Sequence, residues 1–296
     1  MTVNLINPKE YNYVINKLRD FFQAKGFIET PTQHRLSILA ACEDPSTIAT
    51  YNYAGELWPL PQTGQMWLEY ELLNNPSEAG FYCISTSYRN EANPIPGRHD
   101  LVFPMFEFET HGDINNLVNM ELELLEHLGF GDQQEYCAAT YDYSQLAETF
   151  KTKILTAEHE ELLYKERNIP IAFLTLFPQY TSPFWNMCVV DKDKAAKVDV
   201  LLYGMETIGS AERSTNPIEM DELFHTISDG MYAKILYSQF GKERVEKELN
   251  DFLSLSFFPR CGGGIGVTRL IRAMKMAGLL PISSYNACTK PSYEGE

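Results

Sequence analysis

Residues 81–109 carry the clearest structural signal in the chain and read FYCISTSYRNEANPIPGRHDLVFPMFEFE. The two ends of this stretch, 81–88 and 101–109, alternate in polarity and are rich in aromatic and β-branched residues, which is typical of strands. The segment between them contains Pro94, Pro96 and Gly97, which favour a loop. The stretch is therefore predicted to form two antiparallel strands joined by a loop.

Charged and aromatic residues cluster around this predicted hairpin. In chain order, the cluster comprises Arg89, Glu91, Arg98, His99 and Phe103. An arginine can bind phosphate through charge-assisted hydrogen bonds, and an aromatic ring can stack on a base. The hairpin is thus a candidate nucleotide clamp, and an ordinary hairpin with surface ion pairs is the alternative that the same residues allow.

A glycine-rich segment, CGGGIGVTRL, occupies residues 261–270. Glycines lack a β-carbon and so let a ligand approach the backbone closely, here at Gly264 and Gly266 among others. The helix predicted at 267–277 would present its positive N-terminus and Arg269 to an anion. We interpret 261–266 as a glycine-rich turn that precedes a phosphate-binding helix.

Two acids, Asp199 and Glu206, lie seven residues apart on predicted neighbouring strands, with Gly204 between them and Arg213 a further seven residues along. Two carboxylates that meet in this way can hold Mg²⁺, because phosphates and water complete its ligand shell. Paired acids on a protein surface are the alternative interpretation.

The other periodic segments predict helices between strands without regular βαβ alternation, which favours an α+β fold with a mainly antiparallel sheet. Helices are predicted at 9–25, at 115–128 and from Pro217, which Asn216 could cap, through apolar positions that continue to Met231. Strands are predicted at 27–31, 172–177, 197–202 and 205–208.

Composition limits the class of protein. The chain has 296 residues, 44% of them hydrophobic, and a formal charge of −16 with no long run of Lys or Arg. A disordered chain is therefore unexpected, and the charge argues against broad, non-specific RNA binding. No apolar run approaches the roughly 18 residues that span a bilayer, and the N-terminus does not resemble a signal peptide, so a cytoplasmic protein is expected.

Reduced, mostly buried thiols are expected for the scattered cysteines, Cys42, Cys83, Cys137, Cys188, Cys261 and Cys288.

Three segments together resemble the class II aminoacyl-tRNA synthetases. Residues 10–31, ending in GFIETP, resemble motif 1; residues 84–109 resemble motif 2; and residues 261–277 resemble motif 3. PQTGQ at 61–65, AFLTLFP at 172–178 and the run 199–213 are similar to the aspartate and asparagine members. The resemblance implies an antiparallel sheet flanked by helices in one catalytic domain spanning 1–296. It also implies a homodimer whose interface buries the region of Phe21, Phe22 and Phe27.

The resemblance also implies a role for each site residue. In ATP binding, Arg89 would contact the α-phosphate and Glu91 the adenine amino group, Phe103 would stack on adenine, and Arg98 or His99 would act with Arg269 on the outer phosphates. Gly264 and Gly266 would border the nucleotide, and Arg89 and Arg269 would be catalytic. Asp199 and Glu206 would hold Mg²⁺. In amino-acid binding, Gln65 would contact the α-amino region and Arg213 would grip a carboxylate.

Some positions depart from the family pattern. Motif 1 begins near residue 10, so no anticodon-binding domain is expected before it. Thr268, Ser210, Ala211 and Val102 replace residues that are usual in the family, which leaves ATP binding expected and argues against tRNA use.

Three functions follow from the resemblance. The leading one converts aspartate, ATP and ammonia to asparagine, since the glycine-rich phrase is also similar to that of ammonia-dependent asparagine synthetases. The second is a truncated or repurposed aspartyl or asparaginyl ligase that charges a tRNA or another acceptor. The third is a catalytically silent paralogue that binds a nucleotide or amino acid, against which the retained charged residues argue.

Overall fold

A computed structural model describes residues 5–32, 36–39, 45–131, 139–191 and 193–281. Cys42, Cys137 and Cys288 lie outside these ranges. The helices are α1 (Pro8–Ala24), α2 (Gln65–Asn74), α3 (Ile114–Leu128), α4 (Tyr143–Thr149), α5 (Ala157–Lys165), α6 (Pro217–Thr226), α7 (Met231–Phe240), α8 (Lys242–Leu253) and α9 (Val267–Met276). No helix in the described ranges is both long and apolar enough to cross a membrane.

The strands are β1 (Ile28–Glu29), β2 (Thr50–Tyr53), β3 (Glu56–Pro59), β4 (Gly80–Tyr88), β5 (Val102–His111), β6 (Ala139–Asp142), β7 (Ile171–Pro178), β8 (Val189–Val190), β9 (Lys194–Leu202), β10 (Glu206–Arg213) and β11 (Arg260–Gly266). The main sheet runs β1-β4-β5-β11-β10-β9-β7-β6, with β8 beside β9, and only its two edge pairs, β1–β4 and β6–β7, are parallel. The predicted α+β class and mainly antiparallel sheet are confirmed.

The predicted hairpin is the pair β4–β5, which is in register from Gly80 opposite Thr110 to Tyr88 opposite Val102. Helices α1, α3 and α9 cover one face of the sheet and enclose an aromatic and aliphatic core. The other face carries α2 and the group α6–α8, which pack around Trp185 and Phe252. The central strands remain partly uncovered on this second face, and the cleft described below lies there.

The glycine-rich segment is a strand, so its interpretation as a turn was wrong. It forms β11, between β5 and β10 in the centre of the sheet. A β-carbon at residue 262 would lie 1.9 Å from Glu109 Oε2, and one at residue 263 would lie 2.5 Å from the Ser210 β-carbon. Glycine is needed there because side chains of the neighbouring strands fill the space beside the β11 backbone.

The helix that begins at Pro217 is shorter than predicted. Asn216 caps it by accepting hydrogen bonds from the backbone N–H groups of residues 218 and 219, as expected. The helix ends at Thr226, because Ser228 and Asp229 adopt positive φ angles of 53° and 55° that redirect the chain into α7. Met231, predicted on the buried face, is 47% exposed.

The aromatic residues expected at a subunit interface belong to the core of the chain itself. Phe21, Phe22 and Phe27 are 6%, 0% and 7% exposed, and the Phe22 ring packs against Phe106 and Phe108 of β5. The prediction that these three side chains are buried by a partner subunit was wrong. An apolar helical stripe has the same sequence pattern whether it faces its own sheet or a partner. Cys83 and Cys261 are buried free thiols, as predicted, whereas Cys188 is half-buried.

A buried carboxyl group lies under the sheet at Glu121 of α3, whose side chain is fully enclosed. Ser210 is a polar neighbour, and its hydroxyl donates to the carbonyl oxygen of Val198 at 3.1 Å. Burial raises the pKa of Glu121 to about 8, against the smaller opposing effect of Ser210. The folded protein therefore retains a proton on Glu121 at neutral pH, which the unfolded chain has lost.

We expect this proton to make the stability of the protein depend on pH. The stabilisation is complete below the ordinary pKa of a glutamate and is lost as the pH rises through about 8. Glu121→Gln cannot ionise, so at pH 9 it should be more stable than the wild type by on the order of 3 kcal/mol. Urea unfolding between pH 5 and 9 measures this difference. Glu126→Gln, on the exposed side of the same helix, is the control; equal pH slopes for the wild type and Glu121→Gln would contradict the expectation.

Candidate active site

A cleft opens on the second face of the sheet, above the central strands β5, β10 and β11. Its empty space is about 550 Å³, including the part open to solvent. The cleft brings together nine residues that the sequence singled out, namely Arg89, Glu91, Arg98, His99, Phe103, Glu206, Gly264, Gly266 and Arg269. It is also lined by Asp100, Met105, Thr207, Gly209 and Thr268, which sequence reasoning did not assign to it.

The β4–β5 hairpin supplies an aromatic and cationic wall. The Arg89 guanidinium lies 5.4 Å from the centre of the Phe103 ring, and one of its nitrogens is 3.9 Å from Glu91 Oε1. Nδ1 of His99 lies 2.8 Å from Glu91 Oε2. Glu91 therefore holds Arg89 and His99 on the same side of the cleft, next to a ring on which a base can stack.

Arg98 is held by a residue that the sequence did not suggest. Its guanidinium donates to Oε2 of Glu160 on α5, and the same oxygen accepts from the backbone N–H of Glu206 at 3.2 Å. Burial and the charge of Glu206 raise the pKa of Glu160, while Arg98 opposes the rise. An acid on a short amphipathic helix looks solvent-exposed in the sequence, and only the packing of α5 against the hairpin loop brings it to the cleft.

Arg269 lies in the first turn of α9, as predicted. Its Nη1 donates to the backbone oxygen of Glu206 at 2.8 Å and lies 3.6 Å from Glu206 Oε2. Gly264 keeps the floor flat nearby, since a β-carbon there would lie 2.7 Å from Met105 Cε. Arg269 thus links β10 to the N-terminus of α9. Its positive charge lies at the cleft, where a phosphate can approach it.

The two acids predicted as metal ligands converge across β9 and β10. Asp199 is in register with Gly209, and a β-carbon at residue 209 would lie 3.1 Å from Glu206 Oε1 and 3.8 Å from Asp199 Oδ1. The missing β-carbon leaves a small space bordered by both carboxylates, which fits a Mg²⁺ that also binds phosphate and water. In the described part of the chain no cluster of three or more His, Cys, Asp or Glu residues accompanies them.

Positive charge keeps Glu206 ionised. Desolvation within the protein raises the pKa of Glu206. The positive charges nearby outweigh this effect and lower the pKa; they belong to Arg269, Lys197, Arg89 and Arg98. Its side chain remains 37% exposed, and so is open to the cleft. A carboxylate that stays charged and accessible can act as a cation ligand.

The predicted amino-acid ligands, Gln65 and Arg213, lie together but outside the cleft lining. Nε and Nη2 of Arg213 donate to the two carboxylate oxygens of Glu109 at 3.1 and 3.2 Å, and Nη2 also donates to the Gly262 carbonyl at 3.0 Å. The Gln65 amide lies against the same guanidinium, with its oxygen turned towards both Nη1 and Nη2. The fork expected to grip a substrate carboxylate is therefore engaged by Glu109 and is also faced by Gln65.

A second buried ion pair supports the first. Arg260 donates to Glu69 Oε2 from Nε at 2.9 Å and from Nη2 at 2.7 Å, and Asn186 donates to Glu69 Oε1 at 2.6 Å. The side chains of Glu69, Glu109, Arg213 and Arg260 are at most 1% exposed. Burial raises the pKa of Glu109, and the charge of Arg213, which binds both carboxylate oxygens, opposes this rise. Each arginine is thus needed to compensate a buried acid.

Glu107 positions the chain that leads to Gln65. Its carboxylate accepts hydrogen bonds from the Thr63 and Ser85 hydroxyls and from the backbone N–H of Gly64, at 2.9 and 3.0 Å to its two oxygens. The helix α2 begins immediately after Gly64, so Glu107 fixes the place of Gln65. The sequence held one signal for this role, the alternation of Glu107 and Glu109 with phenylalanines. That alternation predicts that both acids lie on one face of the sheet, but it does not predict that this face is buried.

Comparison with known proteins assigns the family. Residues 9–283 match the family model described as tRNA synthetases class II (D, K and N). No significant match was found among curated protein sequences.

Solved synthetases share the fold. Asparaginyl-tRNA synthetase from Pyrococcus horikoshii, complexed with asparaginyl-adenylate, superposes with a TM-score of 0.72 at 18% identity, over 90% of this chain and 64% of that one. The Entamoeba histolytica enzyme in complex with the same adenylate gives 0.67 at 18% identity over 91% and 63%. Aspartyl-tRNA synthetase from Entamoeba histolytica gives 0.64 at 15% identity over 89% and 54%.

The chain spans just under two-thirds of the length of both asparaginyl-tRNA synthetases and about half that of the aspartyl enzyme. The likeness in structure, at identities of 15–18%, establishes a common fold. The family model covers most of the sequence, including the hairpin, the two acids and the glycine-rich strand. This chain belongs to the tRNA synthetases of class II (D, K and N).

Proposed function

We propose that this protein binds ATP and an aspartate-like amino acid and joins them as an aminoacyl-adenylate with release of pyrophosphate. The observation that carries the proposal is the single cleft in which Arg89, Phe103, Glu206 and Arg269 meet although they come from separate segments of the chain. Cations, an aromatic ring and an open carboxylate in one space are what a nucleoside triphosphate with its metal requires.

ATP would lie along the hairpin wall. Phe103 would stack on the adenine and Glu91 would accept from its amino group, while Arg89 binds the α-phosphate. Arg98 or His99 would act with Arg269 on the outer phosphates. Arg98 would then exchange its contact with Glu160 for a contact with phosphate. Nucleotide binding would therefore break the link between the hairpin loop and α5.

The reaction needs no nucleophilic side chain. A carboxylate oxygen of the amino acid forms a bond to the α-phosphorus, and the bond from that phosphorus to the pyrophosphate oxygen breaks in line with it. Arg89 and Arg269 stabilise the negative charge that grows on the phosphate and the leaving group. Asp199 and Glu206 would hold Mg²⁺, which when bound would neutralise charge on the phosphates.

The amino acid would occupy the region between the cleft and Gln65. Gln65 would contact its α-amino region, and the Arg213 guanidinium beside Gln65 would contact a carboxylate or amide. Because aspartate has a carboxylate at each end, the end held by Arg213 determines which one reacts. Activation of the β-carboxylate followed by attack of ammonia gives asparagine, whereas activation of the α-carboxylate prepares transfer to an acceptor such as tRNA.

Asparagine synthesis from aspartate, ATP and ammonia is the acceptor chemistry that we favour, since four positions depart from the tRNA-charging pattern, namely Val102, Ser210, Ala211 and Thr268. Transfer to a tRNA is the second candidate. It draws on the solved asparaginyl-tRNA synthetases of the same fold, two of which carry asparaginyl-adenylate.

We expect exchange of labelled pyrophosphate into ATP in the presence of aspartate, and formation of free asparagine, AMP and pyrophosphate when ammonium is added. Each of the twenty amino acids should be tested in the exchange assay, followed by ammonium or total tRNA. Charged tRNA without free asparagine would reverse the order of the two candidates. Absence of exchange with every amino acid would contradict adenylate formation itself.

Arg89→Ala and Arg269→Ala should each reduce pyrophosphate exchange by at least about a hundredfold, because each removes a charge-assisted contact that strengthens in the transition state. Arg272→Ala is the matched control, since Arg272 lies one turn along the same helix α9 and does not line the cleft. Circular dichroism confirms the fold of each variant. Full exchange activity in a folded Arg89→Ala protein would remove the assignment of the cleft.

We also propose a homodimer, formed at the edge of the sheet. In the described ranges β1 has a neighbouring strand on one side only, and its Ile28 is 42% exposed. A separate apolar depression, near the start of α1, contains Ile6, Tyr11 and Val102. A two-fold related copy would cover these residues.

Light scattering should therefore give about twice the chain mass of 33.8 kDa at micromolar concentration. Ile28→Asp should shift the protein towards monomer, because it places a charge in the proposed interface. Ile154→Asp is the control, since Ile154 has a similar exposure of 47%. It follows α4, which packs on β6 and β7 at the opposite edge of the sheet from β1. A wild-type mass of one chain would disprove the dimer.

A further inference from the structure

A lysine borders the proposed metal site. Lys197 lies on β9, two residues before Asp199 and on the same face of the sheet, and its side chain is 11% exposed. Its Nζ is 3.6 Å from Asp199 Oδ1 and 4.5 Å from the centre of the Phe177 ring. A lysine is rarely buried to this extent without a counter-charge, so the ion pair and the ring hold this cation in place.

The ammonium group lies beside Asp199, whereas Arg269 lies beside Glu206. Asp199 and Glu206 border the same small space over Gly209, and Arg269 Nη1 is 3.6 Å from Glu206 Oε2. Each acid therefore has a protein cation within 4 Å. The two acids and the two cations sum to no net charge before any ligand is bound.

This balance matters for a divalent ion. Mg²⁺ gives up its water reluctantly and is held by few carboxylates, so its binding depends strongly on the negative charge it meets. An ammonium group fixed beside one of the carboxylates repels it and competes for the same oxygen. The outer phosphates of ATP bring the missing negative charge with them.

We propose that Lys197 is a built-in counterion that occupies the Asp199 side of the acid pair, so that Mg²⁺ enters the cleft with ATP and does not bind beforehand. Lys197 thereby sets the order in which metal and nucleotide arrive. This inference rests on the proposed role of Asp199 and Glu206 in the adenylate-forming site. Lys197 is a positioning residue, because it acts through Asp199.

The same strand provides a comparison. Lys194 is also on β9 and also forms an ion pair, with Asp142 Oδ2 at 2.8 Å. Its side chain is 24% exposed, and this ion pair is with Asp142 and not with either acid of the pair. Lys194→Met and Lys197→Met remove the same charge from the same strand, and only the second removes it beside the acid pair.

The test measures binding of Mn²⁺, a paramagnetic substitute for Mg²⁺, to the nucleotide-free protein by electron paramagnetic resonance. Wild type and Lys194→Met should bind Mn²⁺ weakly, and Lys197→Met should bind it at least about tenfold more tightly. Lys197→Arg keeps the charge and should bind as weakly as the wild type. Adding Asp199→Asn to Lys197→Met should abolish the gain.

Two results would overturn the proposal. One is tight, micromolar binding of Mn²⁺ to the nucleotide-free wild type, a result that requires no variant to fold. The other is equal affinity of folded Lys197→Met and wild type. Pyrophosphate exchange on the same preparations reports separately on the proposed function, because Mn²⁺ binding to the nucleotide-free protein does not require adenylate formation.

Discussion

Four buried charges hold the centre of this protein together. Glu69 of α2 pairs with Arg260 of β11, and Glu109 of β5 pairs with Arg213 of β10, all nearly without contact with solvent. Loss of any one of them would leave its partner uncompensated in a region of low dielectric, which is far more costly than loss of a surface ion pair. Because the four residues come from four elements, the network fixes α2 relative to the three central strands, and with it the position of Gln65.

The network depends in turn on the absence of side chains from β11. The carboxylate of Glu109 lies in the space that a β-carbon at residue 262 would fill, and the Gly262 carbonyl accepts from Arg213. Two residues along the same strand, Gly264 leaves the floor of the cleft open. One run of glycines thus makes room for the buried ion pairs at one end and for a ligand at the other, which explains why these positions of a central strand carry no side chain.

The cleft gathers cations in a strongly acidic chain. Glu91, Glu160 and Glu206 orient His99, Arg98 and Arg269 through direct contacts. These acids reduce the mutual repulsion of the cations and hold their side chains before a ligand arrives. A site arranged in this way stabilises developing negative charge without first reorganising, which is the main electrostatic advantage that a folded protein has over water.

The sequence alone determined the elements whose signal is local: the hairpin from its alternation, α1 and α3 from their apolar spacing, and the cap at Asn216 from its side chain. It also identified most of the cleft, because the cleft residues are contributed by short segments of recognisable composition. Only the tertiary structure decided that the glycine-rich segment is a strand, that Phe21, Phe22 and Phe27 belong to the core of the chain itself, and that Arg213 is engaged by Glu109. It alone brought Glu160 to Arg98, 62 residues away, and Glu69 to Arg260, 191 residues away. The reason is physical: periodicity reports which side of an element is apolar, whereas the partner of a buried charge is set by which strands become neighbours, and that leaves no trace in the local sequence.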